Sequence, residues 1–228
     1  MFCTNEKFSF LSSLLFGFSP ILFTTTLNII SILLIIIPLI LLLIYFTVKL
    51  DNKNKIFTYV LLTFLTALIS PISLFFAIAA IFYLLLMLSE SLKVTRLKSE
   101  ALIFAIFVII FINLLIYKNI FLYSNLVGIT QNTPLDPINI SFASIGLISL
   151  VLSLGILTLI FGVIGLVVIL YSKPEEHSLM SLAFIISNLI LILIKAINPY
   201  TGLLILLIPL SLFASRGLEV IYTYYQKT

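Results

Sequence analysis

Hydrophobic residues occur in long runs along this chain, and short polar or charged stretches separate the runs. Several runs contain about 20 residues without charge, which is the length that an α-helix needs to cross the roughly 30 Å hydrocarbon core of a membrane. The runs do not alternate with a period of two, so they lack the pattern of a membrane β-barrel. Division of the chain at charges and helix breakers predicts eight membrane-spanning segments: 8–24, 27–48, 56–70, 72–92, 100–118, 142–171, 178–195 and 201–215.

The stretch ISPIS, residues 69–73, decides whether the number of spans is eight or seven. Residues 56–89 are too long for one ordinary span and rather short for two. Pro71 removes a backbone donor and disfavours helical geometry at Ser70, which favours a tight hairpin or a broken helix at this point. A hairpin gives eight helices, whereas one kinked span over 56–92 would give seven.

The distribution of basic residues favours eight spans. Lysine and arginine in short loops concentrate on the cytoplasmic side of a membrane. A hairpin at Pro71 leaves only Lys118 and Lys195 on the opposite face. The other ten basic residues then share one face: Lys7, Lys49, Lys53, Lys55, Lys93, Arg96, Lys98, Lys173, Arg216 and Lys227. The pattern therefore predicts an all-α, polytopic transmembrane bundle with both termini in the cytoplasm.

The same pattern predicts one transmembrane domain over residues 1–228, whose longest extracytoplasmic loop is 119–141. The tail, residues 216–228, mixes apolar and aromatic residues with few charges, which is typical of a helix lying in the membrane interface. The first segment, 8–24, follows a single lysine and has no convincing small-residue cleavage site. We interpret it as a retained helix in preference to a signal peptide.

Composition supports membrane localisation and excludes several classes of site. Hydrophobic residues make up 62% of the chain and charged residues 9%, against about 45–50% and 25% in soluble domains. The net charge of +4 comes from scattered loop residues instead of a basic stripe, so nucleic acid is not an expected partner. One cysteine and one histidine exclude an intrachain disulfide, a zinc cluster and a bis-histidine haem. The lack of tryptophan and the heavy use of Ile, Leu and Phe indicate an AT-rich prokaryotic genome.

Few residues could carry chemistry inside the predicted membrane. Every acidic residue falls in a loop or at a helix end, so no proton relay is expected. Asn188 and Asn113 lie within predicted spans, where each could contact a substrate or, as we favour, form an interhelical hydrogen bond. Lys195, in the stretch KAINPYTG, most simply marks a membrane boundary, because its long stem can reach the headgroups. A contact between Lys195 and an anionic lipid phosphate is the alternative.

Two further patterns concern helix packing and helix starts. Gly155, Thr158, Gly162 and Gly165 fall on one helical face and predict close packing within the chain, with a partner subunit as the alternative. The stretch PEEH, residues 174–177, places proline and two acids where a helix begins. We interpret it as ordinary helix N-terminal chemistry in preference to a metal site.

The segment SKPEEHSLMSLAFIISNLILILIKAINPYTGLLILLIPLSLFASRGLEVI resembles the C-terminal membrane region of GT-C glycosyltransferases, which include oligosaccharyltransferases and protein mannosyltransferases. The resemblance rests on a short charged loop before a helix and then on four features: Lys195, Tyr200, Pro209 and Arg216-Gly217. The runs LFGFSPILF (15–23) and LTALISPISLFFAIAAIFYLLL (65–86) also look like successive helices of that family.

The resemblance implies that outer-loop carboxylates hold a divalent metal against a lipid-linked phosphate. Asp136 is the only acid in the predicted outer loops, and the family's first acidic motif has no counterpart in this sequence. The resemblance therefore implies a shortened relative in which Asp136 is the weak candidate acid. Lys195 and Tyr200 would contact the substrate in such a protein.

The sequence thus predicts a multi-pass protein of the cell membrane without a self-contained catalytic centre, cofactor or metal. We expect it to act as a membrane subunit or to bind a lipid-like substrate, with membrane lipids and another membrane protein as partners. Candidate substrate contacts are Lys195, Tyr200, Asn188 and Asn113. One alternative is a shortened GT-C-like glycosyltransferase, or the partner of one, that uses polyprenyl-phosphate-linked sugars. A small permease is disfavoured by the lack of coupling residues and internal repeats.

Overall fold

The computed structural model of this protein describes residues 6–22, 33–50, 55–92, 94–118, 152–172, 175–193 and 199–227. Within these ranges all regular secondary structure is helical, as the hydrophobic pattern predicts. The principal helices are α1 (Glu6–Gly17), α2 (Leu33–Val48), α3 (Ile56–Ile69), α4 (Ser73–Ser89), α5 (Arg96–Ile116), α6 (Ile156–Tyr171), α7 (Glu176–Leu193) and α8 (Pro199–Lys227). The predictions for the 119–141 loop and for residues 27–32 lie outside the described residues.

The helices form two packed groups that α7 joins. In the first group α2 packs on α3, and both α3 and α4 pack on α5. In the second group α8 packs against α1 and α6. Helix α7 lies against α4 on one side and α8 on the other. Its contact with α4 includes the rings of Phe76 and Phe184, whose centroids are 6.2 Å apart.

The described bundle has two ends, and the turn at Pro71 marks one of them. Asn113, near the end of α5, donates a 3.0 Å hydrogen bond to Ser73 at the start of α4. The Tyr117 hydroxyl donates a 2.9 Å bond to the carbonyl of Leu68 near the end of α3. Both sides of Pro71 therefore meet the same end of α5, so the predicted hairpin is confirmed over a single kinked helix. We call this end the Pro71 end.

The opposite end, here called the Lys98 end, collects the end of α2 and the starts of α5 and α7. Lys98 joins these three helices through contacts with Val48 and Glu176. Helix α8 begins toward the Pro71 end, because Gly202 accepts a hydrogen bond from Asn188 well along α7. At the far end of α8, Tyr222 contacts Phe8 in α1 with ring centroids 5.4 Å apart.

These contacts give successive described helices the alternating directions that the predicted topology requires. Whether each helix can cross a membrane depends also on its length. Three helical stretches are both long and apolar enough to cross a membrane: Arg96–Ile116, Glu176–Leu193 and Thr201–Gln226. Five other apolar helices have 10–17 residues. At 1.5 Å per residue, a 14-residue helix such as α3 covers about 21 Å. The number of crossings and the cytoplasmic location of the termini therefore stay predictions.

Three predicted boundaries are wrong. The first segment, 8–24, was expected to be one helix, but α1 ends at Gly17 and the next two residues are not helical. The segment 142–171 was expected to be one helix, but Gly155 interrupts its described part with a φ of 87°. That conformation is accessible to glycine because it has no Cβ. The last span was expected to end at residue 215, yet α8 continues through Arg216 and Gly217 to Lys227. It continues because Gly217 packs on α6 and Arg216 pairs with Glu219 in the next turn.

The packing of α6 on α8 depends on glycine. The buried residues of α6 are Thr158, Gly162 and Gly165, which confirms the predicted packing face for these three positions. A Cβ at Gly162 would lie 3.0 Å from the carbonyl oxygen of Leu210, and one at Gly165 would overlap the carbonyl of Phe213. The partner of this face is therefore α8 of the same chain. Gly155 precedes α6 and is not part of the face.

Candidate functional site

The most buried charge among the described side chains is the ammonium of Lys98, in the first turn of α5. Its side chain is 1% exposed, and Nζ pairs with the carboxylate of Glu176, which is 36% exposed. The same Nζ donates to the carbonyl of Val48 at 3.3 Å and lies 5.8 Å from the centroid of the Tyr83 ring. One lysine therefore links α2, α4, α5 and α7.

Helix electrostatics explain why the two charges occupy these positions. Glu176 lies in the first turn of α7, where the helix dipole favours a negative charge. Lys98 reaches the carbonyl of Val48 at the end of α2, where the dipole favours a positive charge. Close pairing compensates the cost of removing the lysine from water. The sequence analysis assigned Lys98 to a basic loop and Glu176 to helix-start chemistry, and it missed their contact.

A second group of charges lies beside this pair, between the end of α6 and the middle of α8. His177 Nε2 is 2.7 Å from a carboxylate oxygen of Glu175, and Arg216 is 2.7 Å from Glu219. The cavity between Glu175, His177 and Arg216 has a volume of about 20 Å³, which is enough for about one water molecule. In the part of the chain that the structure describes, no three His, Cys, Asp or Glu side chains form a group that could hold a metal ion.

The two buried asparagines each link a pair of helices. Asn188 Nδ2 donates a 2.6 Å hydrogen bond to the carbonyl of Gly202, joining α7 to α8. Asn113 Nδ2 donates to Ser73 at 3.0 Å and to the carbonyl of Ile109 at 2.8 Å, joining α5 to α4. The predicted interhelical hydrogen bonds are thus confirmed. Contact with a substrate stays a prediction.

The predicted substrate contacts are only partly brought together. Asn188 and the backbone of Tyr200 share the junction of α7 and α8, because Gly202 follows Tyr200 by two residues. Asn113 belongs to the junction of α4 and α5 instead. Lys195 and the candidate acid Asp136 lie outside the described residues, as does the side chain of Tyr200.

An open groove with a volume of about 570 Å³ lies between α1 and α6. It extends from the Pro71 end of these helices to Leu218 on α8. Its lining is mainly apolar: Leu11, Leu14, Leu15, Phe18, Pro20, Leu152, Ile156, Leu157, Phe161 and Leu218. Ser19, Gly155 and Thr158 complete it. We call it the α1–α6 groove. The groove is not visible in the sequence, because it depends on the break at Gly155 and on contacts between distant segments.

The fold and composition define an all-helical protein, over its described residues, with three helices suited to crossing a membrane. No protein-family model matches the chain, and neither a curated protein nor a solved structure matches it at a significant level. The groove, the buried charge and the neutral polar groups of this chain are therefore the features that bear on its function.

Proposed function

We propose that this chain is a multi-pass protein of the cell membrane that binds a lipid-like molecule and contains no catalytic centre of its own. The observation that carries this proposal is the α1–α6 groove. Its volume of about 570 Å³ lies within the roughly 300–1,000 Å³ range of small-molecule sites. Its apolar lining suits a hydrocarbon ligand.

The exposure of the groove supports a ligand that arrives from the bilayer. Phe18 and Leu157 line it and are 75% and 58% exposed. In a membrane, side chains of this kind face hydrocarbon, so the groove would open sideways to lipid. The charges of the described bundle lie mainly at helix ends, and the side chains along the groove are uncharged. This arrangement favours binding over reaction.

The test is to identify what remains bound to the full chain after purification in a mild detergent. We expect a lipid at about one molecule per chain after extensive detergent washing, with a composition that differs from the bulk membrane. The same extract passed over resin without the protein provides the background. Protein that carries only background lipid would contradict lipid binding.

We also propose that the chain is a subunit of a membrane protein complex, and the outer surface of α5 supports this function. Phe104, Phe107 and Phe111 are all exposed, and the last two stack with ring centroids 5.9 Å apart. Such a strip suits a helix of another membrane protein. A partner should purify with the chain at a constant ratio and should be lost from a Phe107→Ala variant but not from a Phe57→Ala variant on α3.

A GT-C-like transferase is the alternative proposal from the enzyme class. It rests on the resemblance in sequence and on Asp136, with Lys195 as a phosphate contact. The test is metal-dependent transfer of sugar from a polyprenyl phosphate carrier by the purified chain. Transfer that is lost in an Asp136→Ala variant would favour the enzyme, whereas its absence from the wild type would favour lipid binding alone.

A further inference from the structure

Ser19 gives the α1–α6 groove a polar group whose hydrogen-bonding capacity is unused among the described atoms. Ser19 is one of the residues that line the groove, and it is 2% exposed. Its Oγ has no hydrogen-bond partner among the residues that the structure describes. A buried hydroxyl without a partner loses the hydrogen bonds that it would make in water, so a ligand that accepts its hydrogen bond would recover part of that loss.

The end of α1 explains why Ser19 lacks the usual partner. Serine and threonine within helices commonly donate to the carbonyl three or four residues earlier. Ser13 does so on the same helix, with a 2.7 Å bond to the carbonyl of Phe10. Helix α1 ends at Gly17, so Ser19 lies outside its regular hydrogen-bonding pattern. The same local bond is made by Ser12, Thr47, Thr63, Thr66, Ser187, Ser211 and Ser215.

Ser181 is the other described serine whose buried hydroxyl lacks a partner, and the comparison is informative. Ser181 lies on α7, which packs between α4 and α8. It does not line the α1–α6 groove. Among the described residues, Ser19 alone thus combines an unpartnered hydroxyl with a place in the groove wall.

The position of Ser19 indicates which part of a lipid it would meet. Gly155 lies beside it, since a Cβ at Gly155 would be 3.4 Å from Pro20 Cδ. Helix α6 has 16 residues and rises about 24 Å from Gly155 to the exposed Tyr171, a residue type that favours the membrane interface. With Tyr171 at one interface, Ser19 lies within about 6 Å of the opposite edge of a 30 Å hydrocarbon core.

We infer that the α1–α6 groove binds one hydrocarbon chain of a membrane glycerophospholipid, and that Ser19 donates a hydrogen bond to the oxygen linking that chain to glycerol. The linkage oxygens lie at the edge of the hydrocarbon core, at the depth of Ser19. The chain then runs along Leu15, Ile156 and Phe161 toward Leu218. This inference rests on the proposed function and specifies its ligand.

The experiment is native mass spectrometry of the full chain, released from detergent and titrated with phosphatidylglycerol. Ester-linked and ether-linked forms are both used, because each has a linkage oxygen. The wild type should bind one molecule of at least one form. Ser19→Ala should weaken that binding by about twofold to tenfold, the range expected for one hydrogen bond. Ser13→Ala is the matched control, because it removes a hydroxyl from α1 outside the groove, and it should bind as the wild type does.

A second pair of variants tests the groove itself. Leu157→Trp adds a large side chain to the groove wall, whereas Leu65→Trp adds the same side chain to an exposed position on α3. The first should abolish one-to-one binding and the second should leave it unchanged. Circular dichroism of each variant checks that the helices are retained, so a misfolded variant is not scored.

Three results separate the possible failures. Wild type that binds no lipid of any kind would overturn both the proposed function and this inference. Wild type that retains a polyprenyl phosphate but not phosphatidylglycerol would overturn the inference and leave the proposed function intact. Binding of phosphatidylglycerol that is unchanged by Ser19→Ala or by Leu157→Trp would likewise overturn the inference alone.

Discussion

Replacement of Glu176 by glutamine should destabilise the protein, because it leaves the ammonium of Lys98 buried without its counterion. Loss of one partner from a fully buried ion pair costs about 3–5 kcal/mol. Glu176 is 36% exposed, and Lys98 keeps its bond to Val48 and its contact with the Tyr83 ring. Partial access to water reduces the cost, so we expect a loss of about 2 kcal/mol in unfolding free energy.

The double variant Lys98→Met/Glu176→Gln should recover most of that loss. Methionine has a flexible, apolar side chain of similar length, so it fills the space of the lysine stem and removes the buried charge. Replacement of a buried ion pair by apolar groups is often neutral or stabilising. The order of stability should therefore be wild type and double variant above Lys98→Met, with Glu176→Gln lowest. Lys98→Met loses less than Glu176→Gln because the glutamate that it leaves behind reaches water.

Thermal unfolding in detergent, followed by circular dichroism at 222 nm, measures this order. The chain contains no tryptophan, so tryptophan fluorescence is not an available signal. For a protein of this size, about 2 kcal/mol corresponds to a fall in Tm of about 4–8 °C. Glu100→Gln is the control, since the pair of Arg96 and Glu100 has side chains that are 93% and 64% exposed. It should leave Tm unchanged.

Either of two results would contradict the stabilising role of the Lys98–Glu176 ion pair. The Tm of Glu176→Gln could equal that of the Glu100→Gln control, which would mean that the Lys98 ammonium does not need its counterion. The double variant could melt as low as Glu176→Gln, which would mean that the unpaired charge of Lys98 is not the cause of the loss.

Two other substitutions test the helix contacts. Gly165→Ala should lower Tm sharply, because its Cβ would overlap the backbone of α8. Gly17→Ala is the control and should be tolerated, because nothing lies within 4 Å of its Cβ. Equal effects of the two substitutions on Tm would contradict the close packing of α6 on α8. Asn188→Leu should reduce the unfolding free energy by about 0.6–2 kcal/mol, through loss of its hydrogen bond to Gly202. An unchanged urea or heat stability of that variant would show that this bond does not stabilise the α7–α8 contact.

Local chemistry made part of the fold predictable from the sequence. The hairpin at Pro71 follows from the geometry that proline imposes on itself and on the residue before it. Gly162 and Gly165 predicted a close helix contact because residues three or four apart share a helical face. In both cases the information lies within a few consecutive residues. The hydrogen bonds of Asn113 and Asn188 were also expected, because a buried amide in an apolar span needs a partner.

Features that depend on distant segments were not predictable. Lys98 and Glu176 are separated by 78 positions in sequence, and no periodicity connects them. The break at Gly155 was missed because glycine also occurs within membrane helices, so the residue alone does not fix a positive φ. The α1–α6 groove results from this break and from the end of α1 at Gly17. Its hydroxyl at Ser19 stands out only when the local hydrogen bonds of the other serines are known.

The lipid-facing groove, the placement of Ser19 and the membrane function proposed for this chain all require the two ends of the bundle to lie on opposite sides of the membrane. The most direct test of this arrangement uses single cysteines at Asn52 and at Asn132, introduced after Cys3 is replaced. Each variant is labelled with a membrane-impermeant thiol reagent, once in intact cells and once in inverted vesicles. Asn52 follows the end of α2 at the Lys98 end, and Asn132 lies in the segment that follows α5 at the Pro71 end. We predict that Asn132→Cys is labelled in intact cells and Asn52→Cys only in inverted vesicles. Labelling of both positions from the same side would contradict the topology.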